Sequence, residues 1–266
     1  MRIIVCIKQV PDTTEVRIDP RTGTLIRTGV PSIINPEDRH ALEAALTIKD
    51  QCGAEVIALS MGPPQAEDAL LEALAMGVDR AILLTDRAFA GADTAATSYT
   101  LAQAIKQLGP YDLVLTGRQA IDGDTAQVGP QLAELLDIPQ VTYVQKIELL
   151  SDGTCRLQRA LERGYEIVET RLPALFTVIK ELNTPRYPSI RGIMRALRQG
   201  VTVWTANDVP VDPNLIGLKG SPTQVQRTFV PEHKRNCVML KGSLDEVTTA
   251  LVEELKERRL LKALAT

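Results

Sequence analysis

Apolar residues fall along this chain in two alternating rhythms. Residues 3–7 (Ile3, Ile4, Val5, Cys6, Ile7) form an unbroken, β-branched-rich run, the pattern of a strand buried on both faces. Similar runs at 55–61, 81–84 and 113–116 predict further strands. Between them, apolar positions recur every three or four residues, which predicts helices: Ala41, Leu42, Ala45, Leu46 and Ile48, then Ala69, Leu70, Leu71, Leu74 and Ala75, then Ala96, Tyr99, Leu101, Ala102, Ile105 and Leu108. Asn35-Pro36-Glu37-Asp38 reads as a helix start, with Asn35 as N-cap, Pro36 preorganised at the first helical position and acids in the first turn. Gly53 and Gly77 read as stops, and Asp93 as the cap of the third helix. Strand and helix alternate four times over about 130 residues, which calls for an α/β fold: an open, mostly parallel sheet with helices on both faces, Rossmann-like in kind.

The grammar changes after residue 140. Strand-like runs at 141–150, 154–160 and 165–170, separated by Ser151-Asp152-Gly153 and Arg163-Gly164, predict a β-hairpin addition, and Pro173 opens a last apolar strand at 174–179. Earlier, Val16-Arg17-Ile18 and Thr24-Leu25-Ile26 are short alternations suited to a small hairpin. Asn183-Thr184-Pro185-Arg186-Tyr187-Pro188-Ser189-Ile190 is a loop stiffened by two prolines that exposes an isoleucine, and a short helix follows at 191–197. Beyond it, a weakly periodic stretch with Pro210, Pro213, Pro222 and Pro231 reads as an extended arm. A capping box, Ser243-Leu244-Asp245-Glu246, then opens an amphipathic terminal helix carrying Val247, Leu251, Leu255, Leu261 and Leu264, a face that invites a partner subunit. The expected division is residues 1–199 as the α/β domain and 200–266 as arm and helix.

Composition narrows the function classes. The 266 residues are 44% hydrophobic, enough for a sizeable core, and the net charge of −3 with interspersed signs makes no case for nucleic acid or an anionic membrane. No apolar run approaches a membrane span and the N-terminal one is too short for a secretory signal, so the expectation is a cytoplasmic protein without membrane insertion. Cys6, Cys52, Cys155 and Cys237 are scattered without metal-ligand spacing, so no metal is expected. His40 and His233 are isolated, with His40 read as a helix-surface residue, and no serine sits in a nucleophile elbow. The acid pairs Asp12/Glu15 and Asp122/Asp124 are more simply turn caps than catalytic dyads.

Neither the alternating-glycine dinucleotide fingerprint nor a Walker lysine motif occurs. One stretch nevertheless suits an anion. After the strand at 113–116, a loop with two glycines and two aspartates leads into the helical pattern Leu132, Ala133, Leu135, Leu136. Such turns lie at the carboxyl ends of parallel strands, where backbone N–H groups and a helix start favour phosphate. Cys6, Ile7 and Lys8, Asn35 to Asp38, and Met61 and Gly62 fall at the same end of the sheet. A phosphate cradle and a plain capped helix both fit these residues. Gly123 would let a ligand approach, the N–H groups of 125–128 would face its phosphates, and Asp122 or Asp124 would cap the helix or meet a ribose. Pro130 would kink a helix that began at Asp124.

The cradle, Gly117-Arg118-Gln119-Ala120-Ile121-Asp122-Gly123-Asp124-Thr125-Ala126-Gln127-Val128-Gly129, together with Asn35-Pro36, Ala75-Met76-Gly77-Val78-Asp79-Arg80, Leu172-Pro173-Ala174-Leu175 and Pro185-Arg186-Tyr187, resembles the beta subunit of electron transfer flavoproteins over residues 1 to about 200. The resemblance implies an adenine nucleotide alpha hydrolase-like fold and a heterodimer with an alpha subunit that carries FAD. Ordinary members hold a structural AMP in this subunit. Electron-bifurcating members hold a second FAD that takes a hydride from NADH, passing one electron to ferredoxin or flavodoxin and the other to the alpha FAD and a dehydrogenase. Gly123 and Ala126, where the AMP pattern has a third acid and an asparagine, look like the bifurcating pattern. Cofactor contacts implied are Cys6, Ile7, Lys8, Asn35, Pro36, Glu37, Asp38, Met61, Gly62 and residues 117–129. Pro185, Arg186, Tyr187, Ile190 and Met194 correspond to the loop that holds an acyl-CoA or other flavin dehydrogenase, with Ile190 as its apolar anchor. Met194-Arg195-Ala196-Leu197-Arg198-Gln199 replaces the lysine run of ordinary members, which points to a dedicated partner.

Overall fold

The structure is a computed structural model that describes residues 1–12, 31–150, 153–226 and 237–260. The Val16–Ile18/Thr24–Ile26 pairing, Glu15, the Ser151-Asp152 turn, Pro231, His233, Leu261 and Leu264 lie outside the described residues. The chain divides into two compact units at 227/228.

In the first unit, β1 (Arg2–Cys6) is followed by a short antiparallel pair, β2 (Gln9–Pro11) with β3 (Ser32–Ile34). Then come α1 (Pro36–Cys52), β4 (Glu55–Met61), α2 (Glu67–Met76), β5 (Arg80–Leu84), α3 (Thr94–Leu108), β6 (Leu113–Gly117) and α4 (Val128–Leu136). The antiparallel addition is β7 (Gln140–Leu149), β8 (Thr154–Ala160) and β9 (Tyr165–Arg171); β10 (Ala174–Val178), α5 (Ile190–Gln199) and β11 (Thr202–Trp204) complete the unit. One nine-stranded sheet results, in the order β11-β5-β4-β1-β6-β10-β7-β8-β9. Every pairing from β11 to β7 is parallel, and β7-β8-β9 is antiparallel.

β1 is central because its side chains alternate between two cores. Ile3 and Val5 join Leu42 and Leu46 of α1 and Leu70 and Leu74 of α2 on one face; Ile4 joins Leu101 and Ile105 of α3 and Leu132 of α4 on the other. All of these are buried, each worth about 1.5–3 kcal/mol when fully removed from water. This parallel order sends the carboxyl ends of β1, β4, β6 and β10 to one edge, which is where ligands collect.

The first unit continues past the expected limit at 199. Residues 202–226 lie on it: β11 extends the sheet, Val209 and Ile216 are buried among the α3-side residues, and Asp93 at the start of α3 accepts from Thr223 N–H and hydroxyl. Prolines and glycines break this segment into turns, so its buried residues show no period. The second unit contains α6 (Leu244–Glu257), whose capping box is present with Glu246 accepting from Ser243 N–H at 2.8 Å; none of its described residues is buried. Among the described residues, no helix is long and apolar enough to cross a membrane.

Candidate nucleotide site

The crevice is shaped from the start of α1. Asn35 occupies the N-cap position, but its side chain does not cap. Fully buried, it reaches across to the loop after β6, donating from Nδ2 to Gln119 O (2.9 Å) and accepting from Ile121 N–H (3.1 Å). Pro36 starts the helix without a cap. Glu37 accepts from Gln119 N–H (2.9 Å) and pairs with Arg118 (3.1 Å); burial raises its pKa against both of these partners. Asp38 accepts from Lys8 N–H (2.8 Å) and Gly117 N–H (3.0 Å), bracing the ends of β1 and β6, and burial pushes its carboxyl up to about 7. Cys6 is pushed up to about 12, first by burial and then by the charge of Asp38, so it is a packed, neutral thiol.

Glycine is required where β6 meets α1. A Cβ on Gly117 would run into Asp38 Oδ1 and the backbone of Glu37, and one on Gly129 into the Thr177 methyl group. Ile7 is buried, with its N–H on Leu59 O, while Met61 ends β4, the strand beside β1, and Gly62 follows it with its N–H on Leu84 O.

The loop from 118 to 127 is where the expected caps move. Asp122 and Asp124 do not cap α4, which begins at Val128. Lys8 Nζ meets both oxygens of Asp122 at 2.7 and 2.8 Å, and Asp124 takes the Gln119 side-chain amide. Asp124 N–H returns to Ala120 O at 2.8 Å. Pro130 therefore falls in the first turn, where no intrahelical N–H is needed, and the expected kink has no cause. Asp124 and Ala126 take left-handed backbone, at φ 50° and 53°, ahead of Gln127 at φ −105°. Alternation of this kind turns successive N–H groups toward one side, as in an anion-binding nest. Among the described residues, the N–H groups of Thr125, Ala126, Gln127, Val128 and Gly129 meet no acceptor. Gly123 has none of the described residues within 4 Å of where a side chain would begin.

Tyr143 escaped the sequence, and the surroundings of Arg118 and His40 differ from what it predicts. Tyr143 holds φ 59° at the irregularity in the pairing of β7 with β10, with its N–H on Thr177 Oγ1 (3.2 Å) and the Arg118 guanidinium 5.5 Å from its ring centre. Among the described residues, Arg118 Nε is buried and meets no hydrogen-bond partner. His40 is not a solvated surface residue: its Nδ1 meets the Asn183 carbonyl and side-chain oxygens at 3.1 and 3.0 Å. Strict alternation hides Tyr143, and no local signal marks a partner more than a hundred residues away, as for His40.

The expected docking loop divides in two. Arg186 points inward: Nε and Nη2 donate to the two oxygens of the buried Glu43 at 2.9 Å and Nη2 also donates to Asp50, and these carboxylates, Glu43 first, hold the guanidinium above its usual range against the opposing effect of burial. Tyr187 (92% exposed), Ile190 (79%) and Met194 (50%) point outward, joined by Ile193 and Leu197. α5 sits close on α2 because a Cβ on Gly192 would strike Ala75 O. Pro185 is half-buried.

Residues 22–209 match the family described as "Electron transfer flavoprotein domain". The chain is 58% identical over 261 residues to an electron transfer flavoprotein subunit beta of Clostridium acetobutylicum, covering 98% of this chain and 100% of that one. It is 56% identical over 263 residues to the caffeyl-CoA reductase-Etf complex subunit CarD of Acetobacterium woodii, covering 98% and 100%. Protein FixA of Azorhizobium caulinodans is 47% identical over 267 residues, covering 97% and 95%.

Proposed function

Since this chain belongs to the electron transfer flavoprotein family and stands among its beta subunits in electron transfer, we propose that its crevice holds FAD and that the heterodimer it forms oxidises NADH. The observation that carries this reading is the run of unpaired N–H groups at 125–129, presented by two left-handed residues at the start of α4. It suits the pyrophosphate of a dinucleotide. Open space at Gly123 leaves room beside those donors for a bulkier ligand than AMP, and the idle Arg118 Nε offers one more donor at the cradle's start. Lys8 stands at the mouth with its ammonium paired to Asp122, and Cys6, Ile7 and Met61 would line the floor toward the adenylate half.

Bound there, the flavin would supply the hydride chemistry, sending one electron to a low-potential acceptor such as ferredoxin or flavodoxin and one to the alpha-subunit FAD. No side chain need act as acid or base; these residues bind, orient and exclude water. Outward-facing Ile190 and Met194 on α5 would dock a dehydrogenase, and α6 would pack on the alpha subunit. The name of CarD's complex, a CoA-ester reductase joined to its own flavoprotein, favours a dedicated dehydrogenase here.

Counting nucleotides in the purified heterodimer tests the reading. Two FAD per heterodimer, and flavin reduction by NADH alone, are expected. One FAD with one AMP would leave a non-bifurcating subunit that holds a structural nucleotide and only docks dehydrogenases.

A further inference from the structure

Asp38 and Asn35 raise a question that the fold does not answer. Asp38 is 6% exposed and both its oxygens bind backbone N–H groups, one following β1 and one ending β6. Those strands are neighbours, with Cys6 opposite Thr116, and the loops they open flank the crevice. Asn35 repeats the arrangement one turn earlier, at the N-cap position of α1, fixing Gln119 and Ile121. Pro36 already starts α1, so the helix does not need the carboxylate, and a buried charge is costly. Gly117 must lack a side chain for Asp38 to enter at all.

We infer that Asp38, seconded by Asn35, is a positioning residue of the nucleotide site: its ionised carboxylate holds the Lys8 and Gly117 N–H groups so that the crevice is formed before the ligand arrives. The inference rests on the nucleotide reading above. The groups that act on Asp38 are Lys8 from the loop after β1, the Asn35 side chain and the Gly117 N–H, with the Cys6 thiol of β1 coupled to it; the Lys8 ammonium is itself turned to Asp122.

The sign of the pH effect separates this role from a plain structural one. Burial, opposed by the two N–H groups, Asn35 and Lys8, raises the Asp38 carboxyl to about 7. A carboxyl raised on folding favours the folded state at low pH and loses that contribution as pH climbs toward 7, so the ionised clamp weighs against stability above neutrality. Removing the charge should therefore leave the fold as stable or more so at about pH 8, while loosening the crevice.

The test compares Asp38→Asn with the wild type, each purified with its partner subunit, by nucleotide content after dialysis and by melting of the nucleotide-stripped protein. At about pH 8 the variant should bind nucleotide roughly tenfold more weakly, the scale of one hydrogen bond to a charged group, and melt no lower. Wild-type affinity should decline as pH falls through 7, and the variant's should not change. Asn35→Asp, which sets an oxygen against Gln119 O, should show the same weakening. Equal retention by wild type and Asp38→Asn overturns the clamp, as does a fall in melting temperature that accompanies the loss. A wild-type chain with no nucleotide of its own sinks the nucleotide reading and the clamp with it.

Discussion

The crevice and α5 are built in opposite ways. At the crevice, buried polar groups do the shaping: Asn35, Glu37 and Asp38 each hold backbone of the facing loop, Lys8 meets Asp122, and the N–H groups of 125–129 are left over. Along α5, the polar groups secure the element from behind, through Arg186 on Glu43 and Arg195 on Leu74 O, and the outward face is apolar. The first arrangement fixes a shape that would suit a charged ligand; the second fixes a helix and leaves an apolar stripe that the proposed function gives to a partner. Damage at the tightest packing of the crevice, where β6 meets α1, should therefore reach the fold, and damage on α5 should not.

The comparison breaks most visibly at Gly117. Gly117→Ala forces a methyl group against Asp38 and the backbone of Glu37, and should cost about 3 kcal/mol together with the bound nucleotide, since overpacking at an immobile contact strains several elements. Chemical denaturation of the stripped protein checks it; a loss below about 1 kcal/mol would mean that α1 yields easily. On the other side, Ile190→Asp should weaken dehydrogenase docking by about 2 kcal/mol, the scale of a buried interface anchor, with nucleotide content and melting temperature unchanged. Calorimetric titration of the dehydrogenase measures the first and thermal melting the second. A drop in stability would show that α5 is not the free surface its exposure indicates.

Gly123→Asp tests whether the cradle divides in the same way within itself. Nothing lies within 4 Å of the new Cβ, so the fold should tolerate it, but the carboxylate would stand beside a phosphate. Nucleotide retention should fall about tenfold, with the effect weakening as salt is raised. Undiminished retention would place the phosphates elsewhere.

How much of this was readable follows from the range of each interaction. Residues 3–7, the capping box at Ser243 and the glycine stops of α1 and α2 declare themselves within a few positions, and the α/β architecture follows from their rhythm. The cradle was legible as a strand, loop and helix start, yet its interior was not. Asp122 and Asp124 look like caps because the chain before Val128 is polar, whereas the structure sends them to Lys8 and Gln119. Asn35 looks like a cap for the same reason, and its partners lie more than eighty residues away. Long-range polar pairing leaves no periodic trace, so Glu43 beneath Arg186 and Tyr143 beside Arg118 were invisible. Val209 and Ile216 are a further case: turns separate them, and burial without period reads as a loose arm.

The smallest expected effect concerns the backbone that presents the donors. Ala126 holds φ 53°, where a side chain costs roughly 1–2 kcal/mol, and a strain kept in place next to unpaired N–H groups is the mark of a site rather than of a fold. Ala126→Gly removes the clash but adds freedom to the unfolded chain, worth about 0.5–1 kcal/mol in the other direction. The net result should be a stability gain of about 0.5 kcal/mol in the stripped protein, read as a slightly higher melting temperature. Nucleotide affinity should stay level or fall slightly, because glycine leaves the nest free to relax when no phosphate is bound. A clear loss of stability would mean that the left-handed turn at 126 is sustained by contacts of the alanine methyl group, and the strain argument for the cradle would then fail.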